Sequence, residues 1–405
     1  MTAPDRLSFD AHTVALFDCL RGSLGDRAQF SGGQHAVVTN KSNSRAVNRA
    51  TGPSRLDNIT SRDVAKLAGV SQATVSRVLT DYPGVRPATR QKVMCTLAQT
   101  NYQPNAMARA MKTSSTGSVG VVVARLSNPL YPTLLQVIGA QLAAAGYRMI
   151  VWDSECSGEL PAYTAFRQGI VDGVILTTAT AQTPFLSDLF DGLSPVVLIN
   201  RTVEGLPCDQ VASDNAGGGA QIAAYLVRSQ RRHLALITGS SLPSTIRERE
   251  QGYRQQLASK RIALPAEYCQ RVEAFSHASG RDAMLRLLDL ATPPDAVFCA
   301  NDVLALGAID GARSRGVRVP DDLWVIGYDD IQMASWDAYD LTTVRQPLEE
   351  MVQLTTRLLI SRITGAGQKH DVHQLPNQLI IRGSTAFFPA DAAAPQRPAA
   401  VTTEP

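Results

Sequence analysis

The stretch at 63–79, DVAKLAGVSQATVSRVL, decides how the rest of the chain is read. Thr60 stands where a helix N-cap belongs, with Asp63 three residues on in the spacing of a capping box. The helical pattern runs to Ala68, Gly69 ends it, and Ser71 caps a second helix. Ala65 is small enough to let two helices cross closely, and Val64, Leu67, Val70, Val75, Val78 and Leu79 are the expected shared core. At about 100° per residue, Val75, Val78 and Leu79 fall on one side of the second helix and Gln72, Ala73, Ser76, Arg77 and Thr80 on the other. That outer face carries no acid. A third helix is expected over 87–100, with Val93, Leu97 and Tyr102 closing the core. Two helices that merely pack would satisfy the Ala65–Gly69–Val75 spacing alone. The polar face beside it fits a helix-turn-helix whose second helix enters the major groove. There Gln pairs with adenine edges, Arg with guanine, and an Ala methyl lies against the methyl of thymine.

Charge supports the same reading. The net charge is only +3 over 405 residues, but residues 56–112 hold eight Lys/Arg against three Asp/Glu. Backbone phosphates are the natural partner for that local excess. No apolar run approaches ~20 residues, so no membrane span is expected. In MTAPDRLSFDAHTVALFDCL, Asp5, Asp10 and His12 interrupt what a signal peptide needs, so the expected compartment is the cytoplasm. Cys19, Cys95, Cys156, Cys208, Cys269 and Cys299 are scattered without a CxxC pair, which fits reduced thiols rather than disulfides or a metal site.

Residues 1–55 are rich in Ser, Gly, Asn and Arg. They read as a disordered extension, or as no part of the protein if synthesis begins near Leu56. Residues 56–102 form the helix-turn-helix domain, and 103–117 a linker whose PNAMARAM is long enough for about two helical turns. Such a helix is marginal without a partner, so its folding can be coupled to binding. Over 118–388, apolar runs alternate with amphipathic stretches: SVGVVVA (118–124), RMIVW (148–152), DGVILT (172–177), PVVLIN (195–200), HLALITG (233–239), AVFCA (296–300) and LWVIGY (323–328). Near-continuous apolar strands separated by helices indicate parallel sheets in an α/β architecture. The length favours two lobes, with the first expected over 118–213 plus 345–373 and the second over 214–344 plus 374–388. Residues 389–405, within a Pro/Ala-rich end, read as a disordered tail.

These motifs resemble a known family. TSRDVAKLAGVSQATVSRVL, VRPATRQKV and NYQPNAMARAMK are similar to the headpiece of the LacI/GalR transcription regulators. The likeness continues through SVGVVVARLSNPLYPTLLQVIGAQLAAAGY, VDGVIL, VASDNAGGGAQIAAYLV, EREQGYR, VFCANDVLALGAI, VPDDLWVIGYDD, LTTVRQP and IIRGSTA, covering roughly residues 57–388. It implies an α-helical helix-turn-helix headpiece joined to an α/β two-lobed sensor similar to periplasmic binding proteins. DNA contacts are then expected from Thr60, Ser71, Gln72, Ala73, Thr74, Ser76 and Arg77. From the hinge, Asn105, Arg109 and Lys112 are expected near the backbone, and Met111 stands where the family usually wedges Leu between central bases.

In open α/β sheets, ligands bind beyond the carboxyl ends of strands. Those positions hold Leu126, Ser127, Asn128 and Tyr131, then Asp153, then Asn200 and Arg201, then Arg249, Phe275, Asn301 with Asp302, and Asp329. The resemblance singles out Arg249, Asn301 and Asp329 as effector contacts, with Phe275 as an apolar wall. An Arg fork, an amide and a carboxylate suit a polyhydroxyl ligand. Taken singly, Arg249 can equally be a surface charge, Asp329 a turn cap and Asn301 the N-cap of DVLALGAIDGAR.

Catalytic and cofactor motifs are missing. GGG at 217–219 lacks the GxGxxG spacing, there is no GKS or GKT, and no HExxH or GxSxG occurs; the glycines fit tight helix–sheet packing better than a phosphate cradle. The expectation is a homodimeric regulator, a repressor, that takes a pseudo-palindromic double-stranded DNA operator and a small-molecule effector, a sugar or sugar derivative, with no cofactor, metal or membrane. Leucine heptads of the kind that tetramerise some family members are absent from AAAPQRPAAVTTEP. The competing readings are a sugar-binding protein with an accessory headpiece, which the lack of a signal peptide disfavours, and a sugar- or nucleoside-processing enzyme on the same scaffold, which turnover of a sugar panel would reveal.

Overall fold

A computed structural model describes residues 59–102, 115–157, 160–183, 195–366 and 369–385. The expectations for 1–55, for Asn105, Arg109, Met111 and Lys112 in the hinge, and for the tail at 389–405 lie outside these residues. The chain divides into two units between Ala106 and Met107.

In the first unit, helices α1 (Ser61–Ala68), α2 (Gln72–Leu79) and α3 (Pro87–Thr100) follow one another. Thr60 caps α1 in a full capping box with Asp63, Gly69 takes the left-handed conformation at φ 58° that closes α1, and Ser71 caps α2. Pro87 opens α3, where its missing N–H costs nothing. Val64, Ala65, Ala68, Val75, Val78 and Val93 form the core, flanked by Val70, Leu79, Leu97 and Tyr102. Leu67 departs from expectation: it is 65% exposed. Val64, Ala65 and Ala68 define the inward face, and Leu67 points about 100° away from the middle of that arc.

The second unit runs β1 (Ser118–Val123), α4 (Leu130–Ala144), β2 (Arg148–Asp153), α5 (Leu160–Arg167), β3 (Gly173–Leu176), β4 (Val196–Ile199), β5 (Asp209–Ser213), α6 (Asn215–Arg228) and β6 (Leu234–Thr238). It continues through α7 (Ser244–Ser259), β7 (Cys269–Arg271), α8 (His277–Leu288), β8 (Ala296–Cys299), α9 (Asp302–Ser314), β9 (Trp324–Ile326), β10 (Thr343–Arg345), α10 (Leu348–Ile363), β11 (Val372–Leu375) and β12 (Gln378–Ile380). Two parallel sheets result, ordered β11-β5-β4-β3-β1-β2 and β7-β6-β8-β9, each the centre of one lobe. A short antiparallel pair, β10 with β12, completes the topology.

The apolar strands are buried on both faces because helices cover both. In β1, Val119, Val121 and Val123 pack on one side with Leu134, Ile138 and Leu359, while Val122 packs on the other with Ala162, Val174 and Leu198. Asp172 fixes the entry to β1 by accepting hydrogen bonds from Ser115, Thr116 and Gly117. The glycine run at 217–219 serves two contacts: Gly218 lies against Tyr328, just past β9, in keeping with the helix–sheet packing expected, and Gly219 makes a helix–helix contact. A Cβ on Gly219 would overlap the Arg249 carbonyl, and one on Gly252 the Ala216 carbonyl, so α6 and α7 cross backbone to backbone.

The chain passes between lobes three times: after β5, between β10 and α10, and between β11 and β12. The last passage falls after Leu375, not at 373. β11 is the half-exposed edge strand beside β5, and VHQL offers no apolar run by which its length could be read.

Candidate functional site

Two surfaces merit attention, one on each unit. On α2, Ser71, Gln72, Ala73 and Arg77 are exposed and Thr74 and Ser76 half-buried. Several of these side chains already have local tasks. Thr60 Oγ1 donates to Asp63 Oδ2 at 2.6 Å, which holds that exposed carboxyl below its ordinary range. Ser71 Oγ accepts from Thr74 N at 3.2 Å, and Gln72 Nε2 donates to Ser61 Oγ at 2.9 Å. Thr60 and Ser71 thus set where the helices begin. Arg77 is in no ion pair with a described residue, and with Ala73 and Ser76 it presents a face with no acid.

The second surface is a cleft lined from both lobes of the sensor unit. Asn128, Tyr131, Asn200 and Arg201 come from the first lobe; Arg249, Phe275, Asn301 and Asp329 come from the second. All but Arg249, which lies in the second turn of α7, stand beyond strand ends or at helix starts near the places where each sheet reverses its strand order, β1/β3 and β6/β8, where open α/β sheets leave a crevice. Three lining residues hold left-handed backbone: Arg125 at φ 57°, Asn200 at 74° and Asp329 at 116°. Such conformations persist only where surrounding structure enforces them, and they gather at ligand clamps.

At the floor, Arg249 and Asp329 form a buried ion pair. Arg249 Nε donates to Asn215 Oδ1 at 2.9 Å and Nη1 to the Ala300 carbonyl at 2.8 Å, and its guanidinium lies 3.6 Å over the Tyr328 ring. Asp329 also accepts from Gln346 Nε2 at 2.8 Å. Burial raises the Asp329 carboxyl above its ordinary value, and Arg249 and Gln346 oppose that rise. Asn301 Oδ1 accepts from Leu304 N at 3.0 Å, so it caps α9 while lining the cleft. Asp302 is fully buried, accepting from Thr343 Oγ1 at 2.6 Å and Ile331 N at 2.9 Å. Across the mouth, Arg125 of the first lobe sits 5.2 Å over the ring of Phe275 of the second.

The headpiece, residues 60–105, matches the model of bacterial regulatory proteins of the lacI family, and residues 223–385 match a periplasmic binding protein-like domain. The transcriptional regulator DegA of Bacillus subtilis is 34% identical over 330 residues, covering 80% of this chain and 97% of the relative. CelR of Thermobifida fusca is 35% identical over 335 residues, covering 79% and 96%. The chain belongs to the LacI family. It is a sequence-specific DNA-binding transcriptional regulator with a small-molecule sensor. Among solved structures, a lac repressor dimer bound to operator and the anti-inducer ONPF aligns with TM-score 0.73 at 27% identity, over 81% of this chain and 99% of that one. A CelR–cellobiose complex aligns with TM-score 0.61 at 32% identity, over 80% and 99%.

Of the effector residues expected in this LacI-family regulator, Asp153 stands apart. Its Oδ1 accepts from Glu155 N at 2.9 Å, and it does not line the cleft; nor do Leu126 and Ser127. The cleft adds Arg125, Leu130, Pro243, Thr245 and Ile246. A signal for some of these was present: Arg125 lies two residues past the end of β1, and Thr245 lies four residues before Arg249 on the same helical face. No helix among the described residues is long and apolar enough to cross a membrane.

Proposed function

We propose that this protein is a homodimeric repressor that grips a pseudo-palindromic operator through α2 and the hinge and yields or tightens that grip when a small polyhydroxyl effector enters the cleft. The observation that carries this reading is that residues of both lobes line one cleft. A ligand touching Asn200 and Arg201 on one side and Arg249, Asn301 and Asp329 on the other favours one lobe arrangement over others. By linkage, an arrangement that favours or disfavours folding of the hinge on the operator changes operator affinity by the same coupling energy, typically ~1–3 kcal/mol.

On α2, Ala73, Ser76 and Arg77 are assigned to the bases, with Gln72 free to exchange its Ser61 contact for a base edge. Thr60, Ser71 and Thr74 hold helix starts near phosphates. Asn105, Arg109 and Lys112 take the backbone, and Met111 the central wedge. The protein acts as a binding switch in the cytoplasm rather than as a catalyst, a reading that rests on its relatives DegA and CelR being transcriptional regulators. The relatives support this reading, since a lac repressor dimer is seen on operator and CelR is seen with cellobiose.

Selection of duplexes from a randomised library with the full chain tests the proposal. Enrichment of one two-fold site, with an affinity that moves when a small metabolite is added, is the expected result. Equal retention of all duplexes rejects it.

A further inference from the structure

The charges in the cleft do not balance, and the imbalance points to a ligand class. Three guanidiniums line it, from Arg125, Arg201 and Arg249, against one carboxylate, Asp329. Asp329 is taken by Arg249 at 2.9 Å. Arg125, at the more exposed margin, has Glu155 at 3.5 Å. Arg201 has no ion-pair partner among the described residues. Its Nη1 donates to the Thr178 carbonyl at 2.6 Å and its Nη2 to Tyr131 Oη at 3.3 Å, both neutral oxygens. Its Nε–H is buried without an acceptor.

Two further buried polar atoms are without partners: Asn200 Oδ1, on a cleft-lining residue 3% exposed, and Thr178 Oγ1, on a residue 6% exposed that does not line the cleft but whose carbonyl receives Arg201. All three lie just past the carboxyl ends of the adjacent parallel strands β3 and β4. Native interiors seldom leave such atoms unpaired, and a cluster of them marks a place made for something else. The two that line the cleft, Arg201 and Asn200, are complementary in kind: a cationic donor and an amide acceptor. A neutral sugar satisfies the amide but leaves the guanidinium charge unanswered. A flat base offers few hydroxyls to Asn200.

We propose that the effector is an anionic sugar derivative, a polyhydroxyl compound bearing a carboxylate or a phosphate, whose oxyanion is held by Arg201 and one of whose hydroxyls meets Asn200. This rests on the reading of the cleft as the effector site. Arg201 is the residue that separates charged from neutral sugars, because charge-assisted hydrogen bonds to a planar fork are the strong ones.

The test is thermal shift followed by calorimetry on the full chain with matched sets: common aldoses, the corresponding uronates and aldonates, and the corresponding sugar phosphates. The expected result is that one anionic series binds and its neutral parent binds about 10- to 100-fold more weakly. Whether the uronate or the phosphate series responds identifies the source of the oxyanion. Arg201→Gln is expected to bring the anion down to the affinity of its parent, and Arg201→Lys to restore part of the difference, with operator binding of both variants reporting that they fold. A neutral sugar that binds as tightly as its anionic counterparts overturns the charge assignment and leaves the effector cleft standing. Equal loss of anion and parent in Arg201→Gln removes Arg201 from the discriminating role. If no member of any set binds or alters operator affinity, the sugar-effector reading itself falls, and this inference with it.

Discussion

Arg249 and Asp329 meet at 2.9 Å in the floor of the sensor cleft, each side chain 3% exposed. They join α7 to the loop after β9, so an ion pair between elements about 80 residues apart in sequence, with the hydrogen bonds around it, ties the ligand wall of the second lobe together. Removing one charge leaves the other buried. Asp329→Ala is therefore expected to cost about 3–5 kcal/mol of sensor stability in urea unfolding and to abolish the effector response while operator binding persists. Replacing both, Arg249→Met with Asp329→Leu, should cost less than either single change. A single-mutant loss near zero would show that the pair does not form in solution.

Stability should also carry a signature of Asp302. Burial, and then the nearby charge of Asp329, push its carboxyl from 3.8 up to about 7. Between those values the folded protein holds a proton that the unfolded chain has released, so this residue makes stability fall as pH rises from about 4 to about 7 and then level off. Asp302→Asn is expected to flatten that slope in denaturation series across the interval. An unchanged slope would assign the pH dependence elsewhere.

Gly252→Ala places a methyl against the Ala216 carbonyl where α6 and α7 touch. Overpacking of this kind costs typically about 1–3 kcal/mol, more where backbone must move. Gly316→Ala is a useful contrast: nothing lies near its missing Cβ, and its cost comes only from the backbone at φ 73°. Thermal unfolding of the two variants separates crowding from conformational strain.

On the headpiece, Arg77→Ala should weaken the selected operator by about 1–3 kcal/mol and relax preference at one base position. Titrations against single-base operator variants read both effects. A uniform loss across all sequences would make Arg77 a phosphate contact instead.

How much of this was readable from residues alone follows physical lines. The three headpiece helices declared themselves because their ends are chemically marked, by Thr60 with Asp63, by Gly69 and by Ser71. Leu67 misled because hydrophobicity alone does not say which side of a helix a residue takes; the small residues Ala65 and Ala68 take the inward positions. The buried strands were legible as apolar runs, whereas DQVAS in β5, CQR in β7 and VHQL in β11 were not, since strand pairing rather than composition makes them strands. The strand-end rule placed Asn128, Asn200 and Asn301 on the cleft, and the family resemblance placed Phe275 there, yet the rule gave Asp153 the same standing. Which strand ends face the crevice depends on sheet order, and β2 lies at the far edge of the first sheet.

The three passages of the chain between lobes have an evolutionary corollary. Neither half of the receptor is a continuous stretch of gene. A chimera that trades only residues 118–213 imports a sheet without its edge strand β11 and without α10, which covers one of its faces. A swap that keeps the lobe whole must carry 345–375 along with 118–213.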